Sequence, residues 1–315
     1  MTKRLFRQEH PVLLGFFILG CIFVLFWAGI TFFIASISKP KAPFFSRSEG
    51  VGIVELFGPI ISAEETLKVL TDFRNDDAVK ALVLRIDSPG GAVGASQEIF
   101  EEVKRTAAEK PVVASMGSIA ASGGFYAAIG ANKIVANPGT LTGSIGVILK
   151  FANLQELFAK IGYKSEVVKS GALKDIGSPD RPLTDAERQL LQNLIDSVHQ
   201  QFVRAVAEQR NIPVETVLPI ADGRILTGEQ AKERGLIDAF GNFTDAVSLA
   251  AELGGLTDKE PQLIYPEEDR FPFSRLFSGE ASSWLHNLMP RQTPFLSYQL
   301  DNDTLTEMVS DYVKR

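Results

Sequence analysis

Val79-Lys-Ala-Leu-Val-Leu-Arg-Ile86, then Asp87-Ser-Pro-Gly-Gly91, then Ser96 to Ala108: this stretch decides the fold. Ala81 to Leu84 is continuously apolar, as a strand buried on both faces must be. Pro89 and the two glycines after it allow a tight turn with exposed amides. Ser96 to Ala108 then reads as an amphipathic helix. Strand, turn and helix in this order begin a parallel crossover unit. The alternation continues outward. Gly52 to Phe57 reads as a strand and Ala63 to Arg74 as a helix. Downstream, Pro111 to Ser115 is a strand, Ile119 to Ala131 a small-residue helix and Lys133 to Ala136 a strand. Strands over Ser144 to Phe151 and Lys164 to Lys169 flank a helix over Leu154 to Ile161. Thr184 to Arg210 is one long helix, with Leu190, Leu191, Leu194, Val198, Phe202 and Val206 on a common face. Gly228 to Gly235 and Thr244 to Leu253 add shorter helices. The expected class is α/β with a mostly parallel, doubly covered sheet.

The 315 residues are 45% hydrophobic and 22% charged, enough for one large or two modest domains and too apolar for wholesale disorder. A single cysteine excludes a disulfide framework and any multi-cysteine metal site. The net charge of −6 argues against nucleic acid as a partner. Mean hydropathy is nonetheless +0.08, high for an acidic chain. The excess sits at one end: nine of the 22 phenylalanines lie in the first 45 residues.

Val12 to Ala35 carries no charge over 24 residues. A bilayer span needs about 20 apolar residues, whereas a cleavable signal has an apolar region of only about 7–15. Ser36-Ile-Ser38 is also a poor cleavage site. A retained transmembrane helix over 12–35 is therefore expected, with Cys21 a membrane-facing thiol. Lys3, Arg4 and Arg7 precede it, and Lys39 and Lys41 follow it. That bias favours a cytoplasmic N-terminus over 1–11 and an extracytoplasmic main domain. Five bases and one acid (Glu9) leave this end at +4, so the remainder carries −10. The expected organisation continues with a linker over 36–50, a main domain over 51–268 and a tail over 269–315. In the tail the periodicity fades, and its apolar residues (Phe271, Phe273, Leu276, Phe277, Trp284, Leu285) fit a docking, membrane-adjacent or partly disordered segment.

Three glycine-rich segments hold the candidate chemistry. The turn after Asp87 offers backbone amides to an anion or a developing oxyanion, and serves equally as an ordinary strand–helix turn. It has no GKS/T and no GxGxxG, so it is neither a phosphate loop nor a dinucleotide fingerprint. In Met116-Gly-Ser118-Ile-Ala-Ala-Ser122-Gly-Gly-Phe-Tyr126, little bulk shields the Ser122 hydroxyl. A serine there fits a nucleophile or a plain helix cap. A nucleophilic serine needs a base. The three histidines stand before the apolar segment (His10), within a helix (His199) and in the tail (His286), so a Ser–His pair is weakly supported. Lysine is the other common base, once burial lowers its pKa from about 10.4 toward about 7–8. Lys174 follows Ser170-Gly-Ala-Leu173 outside the charged runs, although a surface lysine is the commoner reading of such a residue. Asp175 beside it would raise its pKa if close, but neighbours in extended chain point apart. Ser144, in Leu141-Thr-Gly-Ser144-Ile-Gly-Val147, is a turn residue or a hydroxyl that orients a neutral lysine.

The motifs DSPGG, GSIAASGGFY, LTGSIGV and SGALKDIGSP, in that order across Gly52 to Gly254, resemble the signal peptide peptidases of the SppA type in their short, single-repeat form. The resemblance implies the spiral α/β fold of the Clp peptidase and crotonase superfamily behind one N-terminal transmembrane helix, and makes 51–268 a Ser–Lys peptidase domain. Residue by residue, it implies Ser122 as nucleophile, Lys174 as general base and Ser144 as the assisting hydroxyl. Gly91 and Gly123 match the positions whose N–H groups form the oxyanion hole. It implies no metal and no cofactor, homo-oligomers whose neighbouring subunits complete the sites, and cleaved signal peptides as substrates at the cytoplasmic membrane. Phe125 departs from the usual Tyr, and the tail matches nothing in the pattern. Alternatives are a membrane protease of the SohB or NfeD-linked type, a crotonase-like acyl-CoA enzyme, and a scaffold with a dead site.

Overall fold

The computed structural model describes residues 11–37, 48–258, 260–266 and 297–299. The chain divides into two units, Met1–Arg47 and Ser48–Arg315. The first contributes helix α1, Pro11–Ile37. Its side chains are described from Phe16 to Thr31, Ile18 aside, about 24 Å of helix at 1.5 Å per residue. Among the described residues no helix is long and apolar enough to cross a membrane.

The second unit runs β1 (Gly50–Phe57), α2 (Glu64–Asn75), β2 (Val79–Ser88), β3 (Gly90–Ala92), α3 (Val93–Glu109), β4 (Val112–Ala121), α4 (Gly123–Ala128), β5 (Lys133–Ala136) and β6 (Leu141–Gly143). It continues with α5 (Gln155–Ile161), α6 (Asp185–Arg210), α7 (Val214–Val217), β7 (Ile225–Thr227), α8 (Gly228–Glu233), β8 (Ala239–Phe240), α9 (Phe243–Leu253), β9 (Gln262–Ile264) and β10 (Ser297–Gln299). The main sheet is ordered β7-β6-β4-β2-β1-β9, with β5 on β4 and β8 on β5. Every pairing in it is parallel except β6 with β7. The expected α/β class and parallel sheet are both present. Successive strand residues face opposite sides, so the sheet feeds two cores. Val54, Leu56, Leu82, Leu84 and Ile86 join one core with α3, α4 and α6. Val51, Ile53, Ala81, Val83, Val113 and Val135 meet Ala246, Val247, Ala250 and Ala251 of α9 on the other.

One irregularity shapes the site. Val113 to Met116 of β4 pair with β5, whereas Ile119 to Ala121 pair with β6. The register against β2 shifts between Ile86 and Ser88. Asp87 stands at that shift and accepts the N–H groups of Ser118 and Ile119, each at 3.2 Å. A Cβ at Gly117 would lie 2.6 Å from Asp87 Oδ2, which explains the glycine. Thr140 and Thr142 donate their hydroxyls to the carbonyls of Gly117 and Ala120, both at 2.7 Å. Together these bonds satisfy the bent backbone in a buried place.

Four elements differ from expectation. Ile119 to Ala121 extend β4, so the helix expected over Ile119 to Ala131 shrinks to Gly123–Ala128. Only Leu141 to Gly143 is strand, and Ser144 to Phe151 is not. Lys164 to Lys169 has apolar residues but, among the described residues, no strand pairs with it, and it forms none. Gly90 and Gly91 belong to β3 rather than to a plain turn. The tail expectation over 269–315 lies outside the described residues except at Ser297–Gln299.

Behind the site, Tyr126 of α4 packs between two rings. Its centroid is 5.0 Å from that of Phe100 and 4.7 Å from that of Phe202 on α6. Phe202 is fully buried. Replacing it with Ala should cost about 3–5 kcal/mol through lost burial and the cavity left behind. Denaturant unfolding of the full chain in detergent checks this; an unchanged midpoint would refute it.

Candidate active site

β4 ends at Ala121, and the next residue, Ser122, takes a conformation that L-residues avoid: φ 54°, ψ −115°. Such backbone costs on the order of 1–3 kcal/mol and persists only where its surroundings over-determine it. Here the Ser122 N–H donates to Gly143 O, and Tyr126 N–H donates to Ser122 O, both at 2.8 Å. Ser122 is buried, at 1% exposure. The register that pairs Ala121 with Gly143 sets the next residues, Ser122 and Ser144, beside one another. Ser144 also has positive φ, 49°, and its N–H donates to Arg224 O at 2.8 Å. The structure therefore brings the two expected hydroxyl residues together.

The two glycines also meet. Ile60 N–H donates to Gly90 O at 2.9 Å, and Ala92 N–H to Ile60 O at 2.7 Å. Backbone groups alternate along a strand, so the Gly91 N–H faces the other edge of β3. A Cβ at Gly91 would lie 2.0 Å from Ile60 O. A Cβ at Gly123 would lie 2.4 Å from Ser96 Oγ and 3.1 Å from the Gly91 nitrogen. Gly91 excludes a side chain because backbone passes too close, and at Gly123 a Cβ would press on the Ser96 hydroxyl. Ser96 is itself buried and donates to Ala92 O at 2.9 Å. Along the outer edge of β3 runs β10, antiparallel, with Tyr298 opposite Gly91.

Lys174 is apart from these groups. It lies in a turn closed by Lys174 N–H to Gly171 O (3.1 Å), Ile176 N–H to Leu173 O (3.3 Å) and Ser178 N–H to Asp175 O (3.1 Å). The residue is exposed, and among the described residues no hydrogen bond joins it to Ser122 or Ser144. Asp175 is not extended away from it but folded into the turn. Its carboxylate accepts Lys169 Nζ at 2.5 Å and Arg181 Nε at 3.1 Å, with Arg181 Nη2 at 2.9 Å. The hydrogen bonds from Arg181, then from Lys169, hold this carboxyl well below the usual range. Arg181 also forks onto Glu187, Nη1 to Oε2 at 2.8 Å and Nη2 to Oε1 at 2.6 Å. Glu187 closes a capping box with Thr184 at the start of α6. Its carboxyl is lowered to about 2 by Arg181 first and then by the Thr184 backbone.

Between Gly146 and Gln201 only Glu187 is buried. Leu157, Tyr163, Val167 and Leu173 are about half exposed, Ile161 two thirds, and Val168 fully.

Reading the sequence alone missed Asp87 as the support of the β4 bend, Ser96 behind Gly123, and Arg181. Asp87 was inside a recognised motif, and Thr184-Asp-Ala-Glu187 is a legible capping box. Nothing local marks Arg181.

A family model described as Peptidase family S49 matches residues 104–257, and one described as Clp protease matches 53–140. A Synechocystis sp. protein, slr0021, provisionally named a protease, is 45% identical over 238 residues, which is 75% of this chain and 86% of that one. Serine protease SPPA, chloroplastic, of Arabidopsis thaliana is 34% identical over 89% of this chain and 42% of its own length. An Enterococcus faecium protein, provisionally named signal peptide peptidase SppA, is 38% identical over 70% of this chain and 62% of its own. The chain thus spans under two thirds of the last two relatives.

Proposed function

This chain belongs to peptidase family S49 and is a serine peptidase, and from that premise we propose that it cleaves peptides with Ser122 as nucleophile and Lys174 as general base. The observation that carries the reading is the strained, buried Ser122, its N–H on the carbonyl just before Ser144 and its neighbour Gly123 packed close to the Gly91 nitrogen. Neutral Lys174 takes the hydroxyl proton of Ser122, and Oγ bonds to the scissile carbonyl carbon. The Gly91 and Gly123 N–H groups hold the oxyanion. Collapse breaks the C–N bond, and the amine leaves with the proton from Lys174. Water, deprotonated by Lys174, then releases the acyl group and restores Ser122. Ser144 keeps the lysine oriented by a hydrogen bond.

The substrate is an extended peptide added to the outer edge of β3, the position β10 takes in this chain. Lys174 acts on Ser122 of an adjoining copy. Its exposure and the half-exposed apolar residues around it support an assembly in which neighbours cover this segment and desolvate the lysine. Helix α1 with Val12 to Ala35 anchors the peptidase in the cytoplasmic membrane, domain outside, where residual signal peptides with apolar centres are the natural substrates. A serine-directed phosphonate should label the full-length chain in detergent at Ser122 alone, as read by peptide mass mapping. Labelling that persists undiminished in Ser122→Ala would refute the assignment.

A further inference from the structure

The mechanism needs an uncharged lysine, yet the residue next to it is an aspartate. A carboxylate paired with an ammonium stabilises the charged form and raises the lysine pKa. Asp175 is kept from that role by two cations. Lys169 approaches from the preceding segment and also donates to Ala172 O at 3.0 Å. Arg181 approaches from the following segment, its Nε and Nη2 on the Asp175 side chain and Nη2 also 3.3 Å from the Asp175 carbonyl oxygen. Arg181 is itself fixed by its fork on buried Glu187 and by Pro182 O at 3.1 Å. The remaining acid at the turn, Asp180, is occupied by Ser178 Oγ at 2.5 Å. The charged groups gathered here are thus Lys169, Lys174, Asp175, Asp180, Arg181 and Glu187.

We infer that Arg181 is a positioning residue for the reaction: it ties the lysine turn to the buried start of α6 and holds the Asp175 carboxylate away from Lys174. The inference rests on Lys174 being the base. Geometry gives Arg181 both tasks at once, because one guanidinium spans the turn and the helix cap. A lysine in its place could reach one carboxylate but not fork across two. With Arg181 gone, Asp175 keeps, among the described residues, only Lys169, a flexible point charge on a side chain one third exposed, and its second oxygen is free to turn to Lys174.

The test is the pH profile of kcat/KM for a fluorogenic peptide, using full-length enzyme in detergent. The rising limb reports loss of the proton from the base. In Arg181→Ala it should move up by about one pH unit, in the range an opposite charge produces. In the double variant Arg181→Ala/Asp175→Asn it should return to the parental position, since no carboxylate remains. A merely structural role predicts a lower rate at every pH with an unmoved limb, and that result overturns the inference; so does a shift that survives Asp175→Asn. If Arg181→Ala does not fold, Lys169→Ala takes its place and should shift the limb in the same direction by less, with no shift counting against the inference. Failure of the Ser–Lys reading is distinct: activity would then survive Lys174→Ala.

Discussion

Ser122→Ala should abolish peptide hydrolysis, lowering kcat by at least about a thousandfold while leaving the unfolding midpoint within a fraction of a kcal/mol of the parent. The stability half follows from the site. Among the described residues the hydroxyl makes no hydrogen bond, whereas the Ser122 backbone is held by Gly143 and Tyr126 whatever the side chain. Alanine still has to adopt φ 54°, so the strain is retained rather than relieved. The activity half follows from the chemistry, because alanine has no atom to form the acyl bond. Lys174→Ala should fall as far, and Lys174→Arg no less, since a guanidinium stays protonated and cannot accept the Ser122 proton. Each variant is assayed as full chain in detergent with a hydrophobic fluorogenic peptide. Full activity in both alanine variants would sink the dyad. The acyl-CoA alternative has already fallen with membership of a peptidase family.

Parts of this site could be read before any fold was known, for reasons visible in single residues. Ala81 to Leu84 is apolar without a break because β2 is covered on both faces, by α3 and α4 on one side and α9 on the other. Gly91 is glycine because the Ile60 backbone stands 2.0 Å from where a Cβ would be, and Gly123 because the Ser96 hydroxyl stands 2.4 Å from its own. Ile119 to Ala121 misled because small residues suit either a helix or a strand; the bend at Gly117 and the Asp87 bonds settle it, and those are tertiary. Lys164 to Lys169 misled in the opposite sense. Its apolar residues are genuine, but a strand needs a partner, and among the described residues none pairs with this segment. Arg181 was illegible because its meaning depends on Asp175 and Glu187 arriving on either side of it. Residues read by what they exclude were accessible; residues read by whom they meet were not.

Mixing two dead enzymes should restore a live one. Co-expressed Ser122→Ala and Lys174→Ala chains, each inactive alone, should form assemblies with about a quarter of the parental activity per chain. Where each site draws its serine from one copy and its lysine from the next, half the serines are intact and half of those face an intact lysine, for random mixing of equal amounts in a closed ring. The physical ground is the contrast between the two groups. Ser122 is 1% exposed in a pocket of backbone, whereas Lys174 stands on an exposed turn within a stretch that buries only Glu187. A lysine left in water stays charged at neutral pH, so it serves as a base only once another surface covers it. Val168, Leu173 and Ile161 provide apolar area for such a surface. Activity of the mixed assembly is measured against each parent variant at equal chain concentration, with tags confirming that both copies are present. No recovery in tag-confirmed mixed assemblies would place Lys174 and Ser122 of one site within a single chain, since a mixture of such chains contains no complete dyad.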